Sequence, residues 1–224
     1  MSRATGLLLQ FVRCNAPARA GEWLRWLDEV HLPDLRASEG VRAATAWALR
    51  VQPEPGMPSV GFSHAILIEL SGDLARSVDR IHAREGAWRE AGRLDRNHCV
   101  LVEDRLRAHG RHANKPLPGP ALLGHILAYV HCNDPRQEKE WDEWNDTVHM
   151  PDMLASDGFT GVSRWLREPR SERGANFVTL YDVGECGVEV AVARSAAVMP
   201  GLVASGRKHD CHVGGLTVTL VRPW

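Results

Sequence analysis

From Gly6 to Val12 only Gln10 interrupts an apolar run, and a run of the same length recurs from Gly124 to Val130. Apolar segments of four to eight residues rich in branched and aromatic side chains predict buried strands, here extending to Arg13 and His131. Between Glu22 and Leu32 the period changes. Trp23, Trp26, Leu27, Val30 and His31 fall within one arc at about 100° per residue, the signature of an amphipathic helix. Pro33 is expected to stop that helix, because the residue before a proline avoids the α region. Further along, Val41 to Val51 and Ser63 to Leu70 read as strands, Leu74 to Ala91 as a helix and His98 to Leu106 as a strand. The second half predicts a strand over Gly124–His131, a helix over Glu138–Met150, strands over Gly161–Glu168 and Asn176–Val183, a helix over Val188–Val203 and a strand over Leu216–Arg222.

The two halves are copies. Shifting the chain by 118 positions aligns Gly6–Trp47 with Gly124–Trp165 without a gap, and 18 of the 42 pairs are identical. Recognising a repeat first matters, since a fold read from the whole chain at once would be mistaken. The expected domains are residues 1–110 and 122–224, joined by a Pro- and Gly-rich linker at 111–121. Each half follows the order strand, helix, strand, strand, helix, strand, the ferredoxin-like pattern. The expected fold class is therefore α+β: two tandem ferredoxin-like repeats whose bare sheet faces cover each other to make an intramolecular barrel.

Composition removes several classes of function. With 27 basic and 28 acidic residues the net charge is -1, so no global field recruits nucleic acid or an anionic membrane. Five scattered cysteines, none in a Cys-x-x-Cys pair, fit neither a disulfide framework nor a zinc ribbon, and the expected compartment is the cytoplasm. The start imitates a secretory signal, but its apolar run recurs inside the chain and so reads as a strand. No apolar run approaches the roughly 18–20 residues a membrane span needs. Nor is there a phosphate-binding glycine loop or a Gly-x-Ser-x-Gly elbow. His209, Cys211 and His212 lie close together, but nothing completes a metal set, so no metal and no cofactor are expected.

The segments "WLRWLDEVHLPDLRASEGV" and "WDEWNDTVHMPDMLASDGF" resemble the aromatic-rich first helix and His-x-Pro-Asp motif of the dimeric α+β barrel superfamily, in particular its EthD-like members. Ser-x-Gly stands where many members have Pro-Gly. The resemblance covers both halves, most clearly Gly6–Trp47 and Gly124–Trp165. It implies a ligand cavity between sheet and helices or inside the barrel, with the helix-end histidine pointing into it. It also implies that two fused copies supply a barrel that other members assemble from two chains, with further pairing into a homodimer of fused barrels open to this one. Function is not implied, because the superfamily spans isomerases, cyclases, cofactor-free monooxygenases, haem enzymes and stress proteins.

His31 and His149 occupy equivalent positions and share the tryptophan face of their helices, so they are the first candidates for catalysis. The structural alternative is a histidine packed against indole and satisfied by a carbonyl. At a helix end the dipole favours the imidazolium while burial opposes it, which places the expected titration near neutrality, suited to a general acid or base. Asp34 and Asp152 could orient these histidines or cap the following turn. On the first strand of the second copy, alternation puts His125, Leu127, Tyr129 and His131 on one face, opposite numbers of Leu7, Leu9, Phe11 and Arg13. Tyr129 and His131 join the catalytic set, and His125, Trp144, Trp165, Tyr181, Arg13, His64 and His212 the substrate-binding set. The remaining tryptophans read mainly as core.

The function expected from these residues is cofactor-free acid–base catalysis, as in an isomerase, cyclase, lyase or decarboxylase, on an aromatic or conjugated small molecule. The second half, around His149, is expected to hold the pocket. Alternatives are a cofactor-independent monooxygenase of phenols and a non-catalytic ligand-binding or stress-response protein. A haem role would use His149 or His212 as axial ligand.

Overall fold

The computed structural model describes residues 4–50, 61–113, 122–171 and 174–221. The chain divides into two compact units, one ending at Ala108 and the other running from His109 to Val221. The expected linker lies largely at 114–121, outside the described residues, while the strand before it continues to Ala113, past the expected end at Leu106.

In the first unit β1 (Gly6–Cys14) is followed by α1 (Ala20–Trp26), a π-helical turn over Leu27–His31 and α2 (Leu32–Arg36). Then come β2 (Val41–Leu49), β3 (His64–Leu70), α3 (Leu74–Glu90) and β4 (His98–Ala113). The antiparallel sheet has the order β4-β1-β3-β2. Leu8 and Val12 of β1, with Ile66, Ile68 and Leu70 of β3, pack against Trp23, Leu27, Leu32, Leu35, Val78 and Ile81 from the helices. One face of the sheet is thus covered by both helical segments.

The second unit repeats this plan: β5 (Gly124–Cys132), α4 (Glu138–Trp144), a π turn over Asn145–His149, α5 (Met150–Leu154), β6 (Gly161–Arg167), β7 (Phe177–Val183), α6 (Val188–Ala204) and β8 (His212–Val221). The sheet order is β8-β5-β7-β6. Its helix side buries Ile126, Val162, Tyr181 and Val183 against Met150, Met153, Leu154, Val188 and Ala191. Gly124 is the closest backbone approach: a Cβ there would sit 2.4 Å from both Leu220 O and Val188 Cγ2, a space only glycine leaves.

The first helix does not stop at Pro33, and this departs from the expectation. A regular helix would press the proline ring onto the carbonyl four residues back. The chain instead widens by one residue, with Leu32 N–H donating to Leu27 O and, in the second copy, Met150 N–H donating to Asn145 O. The wider turn carries the preceding carbonyls clear of Pro33 and Pro151, and the helix continues to Arg36 and Leu154. Single π turns of this kind are frequently found at functional sites. No helix among the described residues is long and apolar enough to cross a membrane.

Candidate functional site

Each π turn ends on the histidine that the sequence singles out. In the first unit the His31 ring stacks on Trp26, centroids 4.9 Å apart at 22°, and lies 5.1 Å from His98 at the start of β4. Trp88 of α3 meets His31 edge-on at 5.9 Å. In the second unit His149 stacks on Trp144 at 5.0 Å and 17°, and lies 5.2 Å from His212 at the start of β8. The two sites are the same construction made twice.

Their hydrogen bonds repeat as well. Trp23 Nε1–H donates to His98 Nδ1 at 3.4 Å, and Trp141 Nε1–H to His212 Nδ1 at 3.2 Å. An indole nitrogen can only donate, so Nδ1 of each histidine accepts and the neutral ring carries its proton on Nε2. Trp26 and Trp144 donate to the carbonyls of Arg93 and Arg207, at 2.8 and 2.7 Å. The guanidinium groups of those two arginines in turn fork onto Asp34 and Asp152. The Asp of each His-x-Pro-Asp motif therefore anchors the turn leading to the second histidine; it neither orients the first histidine nor caps a turn. Bidentate Arg–carboxylate pairs fix geometry as well as charge.

Burial sets the protonation. His31 is 1% exposed, and burial, reinforced by His98, pushes its pKa down to about 3. His98 falls to about 4, through burial and Arg89 against the opposing pull of Asp95. His149 falls to about 4 through burial and Arg164, and His212 to about 3 through burial and its neighbour His149. The expected titration near neutrality is thus corrected: the helix continues past these residues, so no dipole end stabilises an imidazolium, and desolvation dominates. All four rings are neutral at pH 7.

Acid sensitivity follows. The unfolded chain binds a proton on His31 near pH 6.5, whereas the folded chain does so only near pH 3, so stability is complete above pH 6.5 and is lost as pH falls toward 3. At pH 5 His31 alone should cost about 2 kcal/mol. Urea unfolding at pH 7.5 and pH 5 measures this, with His31→Phe expected to lose about 2 kcal/mol less than the wild type over that interval. Equal losses would show that His31 does not carry the effect.

The two sites differ behind the rings. Arg164 of β6 is fully buried, its guanidinium 5.6 Å from the Trp141 ring and 5.2 Å from Phe177. Nη1 donates to Asp146 Oδ1 at 2.7 Å, and Nη2 makes an ionic contact of 2.7 Å with Asp142. His109 reaches the same Asp142 carboxylate at 2.8 Å. Burial pushes the Asp142 carboxyl up, but the His109 contact and the Arg164 charge together hold it below the usual range. At the matching positions the first copy has Ala46 and Leu24, so the network belongs to the second copy alone. Arg164 and Asp142 carry no motif, and only this asymmetry between the copies signals them.

The other sequence-derived candidates divide by sheet face. Ile126, Ala128, Val130 and Cys132 lie against the helices, so alternation turns His125, Tyr129 and His131 to the opposite face of β5. There His125 Nδ1 lies 3.1 Å from Asp182, and Arg167 stands 5.9 Å from the Tyr129 ring. Trp165 is on that face too, in register with Tyr129 through Val178, and donates to Ser163 Oγ. The sheet therefore separates Tyr129 and His125 from His149, while His131, at the strand end, acts electrostatically on His212. Tyr181 faces the helices and packs on Phe159 at 4.7 Å, its hydroxyl pKa raised by burial. Arg13 is exposed and bonds Asn15 and Gly61 O, away from the rings. His64 does join the first site, edge-on to Trp23 at 5.2 Å, where the second site has Phe177.

His149 and His212 border a cavity of about 10 Å³ closed by Met199 and Leu202 of α6. That is the lower limit for one water molecule. Among the described residues no group of three or more His, Cys, Asp or Glu is placed to hold a metal ion.

No family model matches the chain, and no curated protein matches it. Solved structures do. A monooxygenase candidate from Fusobacterium nucleatum subsp. nucleatum is similar over 97% of this chain and 92% of its own, with a TM-score of 0.59 and 12% identity. A second monooxygenase candidate, from Lactobacillus acidophilus, covers 98% and 94% with a TM-score of 0.52 and 11% identity. A mutant chlorite dismutase from Candidatus Nitrospira defluvii covers 100% and 93% with a TM-score of 0.59 and 9% identity. At such identities the likeness concerns fold alone.

Proposed function

We propose that this chain is a small-molecule enzyme in which paired, neutral histidines perform acid–base chemistry without a cofactor. The observation that carries the reading is the twice-built arrangement in which a tryptophan locks one histidine as an Nε2–H donor 5.1–5.2 Å, centroid to centroid, from a second, unprotonated imidazole. In the first unit His31 takes a proton from the substrate, while Nε2–H of His98 donates to the substrate oxygen on which negative charge develops; the space beside His149 and His212 is of the size of one water molecule. Low pKa values are compatible with this role, because the developing oxyanion stabilises the adjacent imidazolium as it forms. Nε2 of both His31 and His98 is buried without a hydrogen-bond partner. Buried polar atoms nearly always have partners, so a polar substrate atom is what this pair is built to meet. Isomerisation, cyclisation, elimination and decarboxylation of conjugated substrates all use such a step. On this reading the repeat is two EthD-like, ferredoxin-like halves of one barrel fused in one chain.

The second reading, a cofactor-independent monooxygenase, is favoured by the monooxygenase candidates among the fold neighbours. The same base would deprotonate a phenol to an electron-rich phenolate that reacts with oxygen. The test is a panel of conjugated ketones, keto acids and phenols, assayed for product and for oxygen uptake. Turnover without oxygen consumption supports acid–base chemistry, and stoichiometric uptake supports the second reading. Binding without turnover across the panel would leave a ligand-binding protein.

A further inference from the structure

The first site opens into a groove. A concave space of about 620 Å³ is lined by Arg19, Arg89, Arg96, Leu94, Asp95 and His98. Arg19 is paired with Glu22 at 2.7 Å, and Asp95 is engaged by Asn97. Arg89 and Arg96 make no ion pair among the described residues. These two guanidinium groups share one concavity with the Asp95 carboxylate and His98, and Glu85 lies within electrostatic reach of Arg89.

The second copy shows that this is not a by-product of the fold. Both helix–strand turns contain Gly-Arg, at Gly92-Arg93 and Gly206-Arg207, each glycine in the left-handed region at φ 68°. Aligned on that pair, Arg89 corresponds to Val203, Arg96 to Asp210 and His98 to His212; in the 118-residue repeat Arg19 corresponds to Gln137. The histidine is kept and the three arginines are replaced. The first copy thus carries three positive charges here where the second has Gln137, Val203 and Asp210.

We infer that the first-unit groove binds a small aromatic molecule bearing an oxyanion, held by Arg89 and Arg96, with its ring directed at His98. Guanidinium groups match the planar oxygen pair of a carboxylate and also accept phosphate. His98 supplies the aromatic ring of the groove's lining. This deepens the acid–base reading by giving the first site a substrate class, but it depends only on binding.

Calorimetric titration with benzoate, phenyl phosphate and neutral benzamide tests it on the full chain. One anion is expected to bind, at one equivalent per chain, at least tenfold more tightly than benzamide, and Arg89→Gln/Arg96→Gln should abolish that preference. Which anion binds more tightly distinguishes carboxylate from phosphate. Val203→Ala, at the matching place in the second unit, should leave binding unchanged. Equal affinity for benzamide, or unchanged anion binding in the double arginine variant with wild-type circular dichroism, would overturn the inference. Loss of turnover in histidine variants without any anion preference would leave the acid–base reading standing alone; anion preference with turnover indifferent to the histidines would do the reverse.

Discussion

Replacing His31 and His149 together with glutamine is expected to lower turnover by about 10²–10⁴-fold, the usual contribution of a positioned general base. Glutamine approximates the volume and retains hydrogen bonding but cannot take the proton, so the loss reports chemistry more than packing. Each single variant shows how turnover divides between the two sites. The pH profile makes the test more specific. Since burial holds His31 at about 3 and His149 at about 4, the free base is fully present from pH 5.5 to pH 8, and kcat/KM should be flat there. A residual rate above half of wild type, or an inflection near pH 6.5 caused by either histidine, would remove them from the base role.

Removing both carboxylates around Arg164, as Asp142→Ala/Asp146→Ala, should destabilise the protein by about 3–5 kcal/mol, because a guanidinium with 0% exposure is left without a counter-charge. Arg164→Met should cost less, about 1–2 kcal/mol, the scale of the cation–π contacts it gives up. The reason is an asymmetry of burial. The side chains of Asp142 and Asp146 are 28% and 38% exposed, so without the arginine they return to water, whereas Arg164 has no such recourse. Urea unfolding of the three proteins measures both effects. A larger loss for Arg164→Met than for the double aspartate variant would contradict this account.

Much of the fold is legible in the chain because its signals are local. The apolar run over Gly6–Val12 and the 100° arc of the tryptophans each reflect local burial against a core. The equivalence of His31 and His149 is legible too, since a repeat shows which residues recur. Their partners were harder to find. His98 and His212 enter each site from the last strand, 67 and 63 residues after His31 and His149 in the chain, and no spacing rule links residues that far apart. The helix beyond Pro33 is not legible, because proline reads locally as a stop and the π turn that accommodates it has no sequence signature.

The duplicated plan of elements, the buried face of each helix, and the two histidines on the tryptophan faces follow from the order of residues, since all are consequences of periodic burial. Tertiary structure alone decided which residues meet. It put Tyr129 and His125 on the far side of the sheet from His149, because the helices cover only one face. It also joined Trp23 to His98 and Trp141 to His212, and buried Arg164 between two carboxylates. Those pairings depend on strand order and register, which bring distant parts of the chain within hydrogen-bonding distance, and the same desolvation that makes the contacts keeps the imidazoles neutral.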